Sequence, residues 1–347
     1  MHMADALISP AVGGTMWAVS AGLAVHSARK IGPELAERKA PLMGVLGAFV
    51  FAAQMINFTI PMTGSSGHLA GGMLLAVLLG PHAAFLVMFS ILAVQALFFA
   101  DGGLLALGCN VFNLGFWPCF VVYPLVFRRL VGASPTRMRL GIGAMLSAIL
   151  ALQLGAFGVV IETRLSGISE LPFGTFLLLM QPIHLAIGIV EGIVTAGLIA
   201  FVSKARPEIL AVAEARQSGG MVSAAPVLAA FGVAAVVTAG LFSWFASTHP
   251  DGLEWSLFKV TGATEVAAPS DRVHEIAERV QRKTAILPDY DFARGAEAGE
   301  EGGAEGRWPA ISAGTSLAGL VGGAMVLVIA GLAGVALRRL RRHDRGS

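Results

Sequence analysis

Long apolar runs separated by short basic or glycine-rich breaks dominate the chain. Nine such stretches follow one another, several near the ~20 residues a helix needs to cross a bilayer. They lie at roughly 10–26, 42–60, 68–80, 82–100, 104–127, 140–161 and 173–203, then 223–246 and 310–337. Strand-like alternation is absent, which argues against a membrane barrel. The pattern predicts an all-α integral membrane protein. A seven-span bundle over residues 1–210 is joined through a polar linker, 211–222, to a two-span block, 223–347. The third stretch is short, carries Gly71 and Gly72 and ends at Gly80-Pro81, so it is expected to be tilted or partly re-entrant.

Composition agrees. Of 347 residues 55% are hydrophobic and 13% charged, far from the roughly 25% charge of soluble domains. The net charge of +2 says little about partners; the basic residues sit in short clusters between spans and form no nucleic-acid-binding face, so no nucleic-acid partner is expected. These clusters are Arg29, Lys30, Arg38, Lys39; Arg128, Arg129, Arg137, Arg139; Lys204, Arg206; and Arg338, Arg339, Arg341, Arg342, Arg345. If nine spans alternate, all of them fall on one face. The positive-inside rule makes that face cytoplasmic, with the N-terminus outside and the C-terminus inside. Cys109 and Cys119 form no CxxC and are read as packing residues.

The one long external segment is 247–308. From Asp271, apolar Val273, Ile276, Ala277 and Val280 recur at helical spacing, with Ser270 as the expected N-cap. Residues 294–307, rich in Gly and Glu, read as a flexible tether. In the first span Gly14, Ala18 and Gly22 form a small-residue stripe, suited equally to contact within the chain or with a partner subunit.

Candidate chemistry begins at Met1-His2. A free amine, the His2 amide nitrogen and the His2 imidazole can reach one metal ion through small chelate rings. The bulky His2 is expected to keep Met1 in place, and MHMADALISP, with Asp5 and no basic start, does not read as a signal peptide. Within PMTGSSGHLAGG, His68 stands at an external junction framed by glycines. Its nitrogen would complete a plane of four, a set suited to nickel(II) or copper(II) rather than tetrahedral zinc or oxygen-seeking magnesium and calcium.

Asp5, Asn57 and Asn110, with Gln54, Gln95 and Asn113, could hold the terminal segment or orient imidazoles, against a plainer role in helix-to-helix hydrogen bonds. His184, inside a span, is read as supporting the site or packing. Glu191 is expected to pair internally. His26, His82 and His343 fall on the cytoplasmic face, and His249 and His274 are expected to be solvated. Two rivals stand beside metal capture. Gly64-Ser65-Ser66-Gly67 matches a short intramembrane serine-protease pattern, with Ser66 as nucleophile and His184 as base. A structural subunit without a site is the other. No Walker A motif occurs, so ATP hydrolysis would belong to separate chains.

Four segments, MHMADALISP, PLMGVLGAFVFAAQMINFTIP, TGSSGHLAGG and ALFFADGGLLALGCNVFNLG, together resemble the substrate-binding membrane subunit of nickel and cobalt energy-coupling-factor (ECF) transporters, the CbiM/NikM type, over about residues 1–210. The resemblance implies a seven-span bundle into which the terminal segment inserts from outside. It also implies a metal held by the Met1 amine, the His2 amide and imidazole, and His68. His249-Pro250-Asp251-Gly252-Leu253-Glu254 resembles the small N-type accessory component, here fused where the family often uses a separate chain. A bacterial cytoplasmic membrane, a transmembrane coupling (Q-type) subunit and cytoplasmic ATPase (O-type) subunits are implied as setting and partners. No cofactor is expected beyond the transported ion. The planar nitrogen set leans to nickel, and cobalt, for cobalamin synthesis, is the runner-up.

Overall fold

A computed structural model of the chain describes residues 2–31, 33–132, 135–210, 224–292 and 309–343. The 211–222 linker, the 294–307 tether, Met1 and Arg345 lie outside these residues. The architecture is all-α apart from one small hairpin. Helix α1 spans Pro10–Lys30, with Ser9 capping it by accepting from the Val12 amide at 3.4 Å and Pro10 in the first turn. α2 is Pro33–Gln54. Strands β1, Phe58–Ile60, and β2, Ser65–Gly67, pair antiparallel with Thr59 opposite Ser66.

Helix α3, Gly72–Leu79, is only eight residues long and buried along its whole length. The third apolar stretch is therefore helical only from Gly72 to Leu79, behind non-helical backbone at 68–71. α4 is Pro81–Phe98, and α5 runs Leu107–Val131. Between Phe112 and Phe127 α5 takes the wider π winding, with Pro118 and Pro124 inside. Each proline removes a helix donor and crowds the preceding turn, which the wider winding accommodates. α6, Arg137–Ser166, and α7, Phe173–Ala205, form a long antiparallel pair. The second block adds α8, Ala225–Gly240, α9, Gly252–Thr261, α10, Arg272–Thr284, and α11, Ala313–His343.

Among the described residues, α4, α5, α6, α7 and Ala313–Ala336 of α11 are long and apolar enough to cross a membrane, and Lys39–Gln54 and Ala225–Gly240 are shorter apolar helices. Outer faces of α6, α7 and α11 leave Ile142, Leu146, Leu178, Ile193, Leu327 and Leu332 uncovered, as a lipid-facing surface requires. Gly14, Ala18 and Gly22 are also uncovered, and no atom lies within 4 Å of a Cβ built on Gly14 or Gly22. Gly14 and Gly22 thus meet no close neighbour among the described residues. α1 instead packs inward through Gly13, Ser20 and Ser27.

α10 begins one residue later than expected. Its cap is Asp271, which accepts from the Val273 and His274 amides at 2.9 and 3.1 Å, and not Ser270. An Asp at this place adds a negative charge to the positive end of the helix, which a Ser cannot.

The second block is not a separate body. α11 and α8 lie along α2, and the contact is close because α2 offers glycine there. A Cβ on Gly44 would stand 2.8 Å from the Leu327 carbonyl oxygen, and one on Gly47 2.9 Å from Val326 Cγ1. Overpacking such a contact costs about 1–3 kcal/mol. When the chain is divided within 211–222 and both parts are expressed together, they should copurify, and Gly44→Leu should lower the copurified fraction while each part still inserts; an unchanged fraction contradicts the close α2 to α11 contact.

Candidate metal centre

The N-terminal segment lies in the bundle mouth, held by its backbone. The Met3 amide donates to Asn110 Oδ1 at 2.8 Å, and the Met3 carbonyl accepts from Asn110 Nδ2 at 3.2 Å and from the Gly103 amide at 2.9 Å. Met3, Leu7 and Ile8 are fully buried. Extended chain in an apolar mouth needs its polar groups paired, and Asn110 supplies a donor and an acceptor at once. Asp5 does not touch an imidazole with its side chain. Its carboxylate accepts from the Ala106 amide at 2.9 Å, tying the segment to the loop before α5.

This anchoring delivers His2 to His68. Their rings are parallel within 6° and 5.0 Å apart between centroids. His2 Nδ1 lies 3.0 Å from Asp101 Oδ1, and Nε2 is buried without a hydrogen-bond partner among the described residues. Burial pushes the Asp101 carboxyl up, but the adjacent His2 charge and hydrogen bonds from His2 and Tyr290 override it and hold the group below its usual range. Tyr290 donates its hydroxyl proton to Asp101 Oδ2.

His68 follows β2, and burial pushes its imidazole down to about 3, with the nearby His2 charge acting in the same direction. It is therefore neutral at physiological pH, the form that ligates metals. The segment carrying it is fixed from three helices. Gln54 Nε2 donates to the Ala70 carbonyl at 2.8 Å and its Oε1 accepts from Gln95 at 2.8 Å, while the Glu191 carboxylate accepts from the Ala70 and Gly71 amides at 2.8 and 3.1 Å. Gly71 sits at φ 75°, and a Cβ there would fall 2.5 Å from Val50 Cγ1, so both its conformation and its close approach require glycine.

The second block closes over the same place. Ser66 donates its amide hydrogen to the Pro250 carbonyl at 2.8 Å and its hydroxyl to the His249 carbonyl at 2.7 Å. Asp251 caps α9 in a reciprocal box with Glu254 and lines a cavity with His68. A Cβ on Gly252 would meet Ile183 Cγ2 at 2.6 Å, so only glycine lets α9 lie on α7.

His274 is a correction to the sequence reading. Instead of being solvated it is 3% exposed, donates from Nε2 to the Asp5 and Ile8 carbonyls at 3.1 Å each, and places Nδ1 2.6 Å from Asp271. The second block thus grips the terminal segment directly. α10 also supplies Gln281, which donates to the Ala96 and Gly102 carbonyls beside Asp101.

Of the residues singled out from sequence, His2, His68 and Asn110 come together, and Met1 lies outside the described residues. Asn57 lines the mouth and accepts the Ser247 amide hydrogen on its carbonyl. His184 is buried next to His68 in the wall of the neighbouring cavity. The protease reading gains no support here, because Ser66 donates its hydroxyl to the His249 carbonyl and makes no hydrogen bond to His184 among the described residues. Sequence reasoning missed Asp101, Tyr290 and Gln281. Asp101 could have been found as an acidic side chain in a Gly-rich break on the predicted outer face.

Among the described residues no three His, Cys, Asp or Glu side chains are grouped to hold an ion.

Acid should weaken the metal-free fold through His68. An unfolded imidazole protonates near 6.5 whereas His68 stays neutral to about 3, so the unfolded chain binds more protons between those values. Stability then falls as pH drops from about 6.5 toward 3. Denaturation midpoints in detergent should decline over this window, and His68→Gln should flatten the decline. An equal slope in both proteins contradicts the assignment.

Residues 2–209 match the family model described as the cobalt uptake substrate-specific transmembrane region, CbiM, and residues 225–339 match the PDGLE domain. A relative in Archaeoglobus fulgidus, bearing the provisional name fused nickel transport protein NikMN, is 29% identical over 99% of both chains. The fused nickel transport protein NikMN of Rhodobacter capsulatus is 33% identical, over 61% of this chain and 64% of its own length. A crystal structure of a truncated transition metal transporter superposes with a TM-score of 0.52 at 27% identity, covering 59% of this chain and 99% of its own. On its sequence and its helical architecture, the chain belongs to the CbiM family of transition-metal transport proteins and carries a PDGLE domain behind the CbiM region.

Proposed function

We propose that this chain is the substrate-capture component of an ATP-driven ECF importer of nickel ions, working in a bacterial cytoplasmic membrane with its N-terminus outside and its C-terminus in the cytoplasm. The ligands are the Met1 amine, the His2 amide nitrogen and Nδ1, and His68. The observation that carries this reading is a buried His2 ring stacked on a neutral, buried His68 by a segment anchored through its Met3 backbone. Binding of an ion at Nδ1 exchanges the Asp101 contact for the metal. The deprotonated amide cancels one positive charge, and the carboxylates of Asp101 and Asp251 in the surrounding walls offset the rest.

Residues 1–210 act as the metal-binding unit and 223–347 as the accessory unit. The transmembrane coupling subunit packs on the open Gly14, Ala18 and Gly22 stripe, and separate ATPase chains drive inward release. A planar nitrogen set favours nickel, and fused relatives named for nickel transport agree. Cobalt uptake by the same ligands is the second reading, favoured by the family's description.

Two outcomes test this. Adding one residue before Met1 breaks the chelate and should weaken nickel binding at least about 100-fold, while the melting midpoint of the metal-free protein stays unchanged. Nickel binding to the native chain at pH 7 should release about two protons, from the amine, whose reference pKa is about 7.7–8.0, and from the amide. Affinity then falls as pH drops below that range. Unchanged affinity in the extended chain, or no proton release, contradicts the proposal.

A further inference from the structure

His184 is a neighbour of His68 that the capture plane leaves unused. It lies in α7, is 0% exposed, and its Nδ1 is 2.7 Å from the Met180 carbonyl oxygen. A carbonyl only accepts, so Nδ1 carries the proton and Nε2 of the neutral ring keeps a bare lone pair. Nε2 is buried and has no hydrogen-bond partner among the described residues. Leaving such a group unsatisfied is costly, so its retention in a dry interior asks for a use. One ring nitrogen fixed by a backbone carbonyl and the other left open is how proteins orient a metal-ligating imidazole.

The surroundings fit a cation. His184 shares a narrow cavity with His68, Gly67, Ile187 and, from the second block, Asp251 and Gly252. Gly252 brings α9 close enough that a Cβ there would stand 3.1 Å from His184 Cε1. The Asp251 carboxylate thus supplies negative charge at the wall. A second cavity shares Ala70, Leu114 and Leu152 with the first and reaches Glu191. Glu191 is seven residues beyond His184 on the same helix, so two turns of α7 set both on one face.

We propose that His184 Nε2 and His68 form a second ion position beside the capture plane, the first stop of a borderline divalent transition metal on its way along α7 toward Glu191. His68 is shared: it completes the capture plane from outside and passes the ion to His184 from within. Imidazole nitrogen suits nickel and cobalt alike. The proposal rests on the capture reading only in taking His68 as a ligand.

The test uses the full chain in detergent and nickel(II) alone as probe. In the chain extended by one residue before Met1, the capture plane is broken and the second position remains. That protein should still hold one nickel ion, at least about tenfold more weakly than the native chain, and His184→Leu or His68→Leu in the extended background should each abolish it. His184→Gln, which keeps a polar side chain of similar size, gives the same readout if the leucine variant does not fold. No nickel in the extended chain, or retention unaltered by the His184 changes, overturns the proposal. Failure of the capture reading looks different: native and extended chains would then bind nickel equally, whatever happens at His184.

Discussion

Everything near the candidate metal centre depends on keeping a short piece of non-helical backbone, residues 65–71, inside a helical bundle. Such backbone in an apolar interior leaves its amides and carbonyls without the partners a helix would give, and each unpaired group is expensive. Here they are met from α2, α4 and α7. Gln95 orders Gln54, Gln54 takes the Ala70 carbonyl, and Glu191 takes the Ala70 and Gly71 amides. His68 owes its fixed place to this network, and the short α3 that follows is its continuation.

The same constraint explains the attachment of the second block. The outer edge of the 65–71 segment is completed by backbone from His249 and Pro250, and the terminal segment by His274. Asp101 lies where both meet, between His2 of the first block and Tyr290 of the second. Fusion of the two blocks in one chain therefore joins pieces that share hydrogen bonds around a single pocket. The close α2 to α11 contact through Gly44 and Gly47 serves the same end from the membrane side.

Much of this was legible in the sequence. Apolar runs mark the long helices because a lipid-facing helix has to be apolar over its length, and the glycines at 71 and 72 marked the place where the third stretch is not helical throughout. His2 and His68 stood out as candidates because their chemistry is local, and the structure stacks their rings, whereas Met1 lies outside the described residues. His274 did not stand out, since its burial comes from a segment 266 residues away at Ile8, and hydropathy near a charged helix reads as solvent. Tyr290 and Gln281 were hidden for the same reason: their partners, Asp101 and the Ala96 and Gly102 carbonyls, belong to the other block. Ser270 lost the cap to Asp271 by one residue, a difference in charge at a helix end that the apolar spacing does not encode.

The central claim is that main-chain nitrogen, two imidazoles and an amine hold the ion in one plane. X-ray absorption at the nickel edge, on the full chain loaded with one nickel(II), tests it most directly. The account predicts a planar shell of four nitrogen neighbours, two of them in imidazole rings, with no thiolate. A six-coordinate shell rich in oxygen, or one containing sulfur, would contradict it.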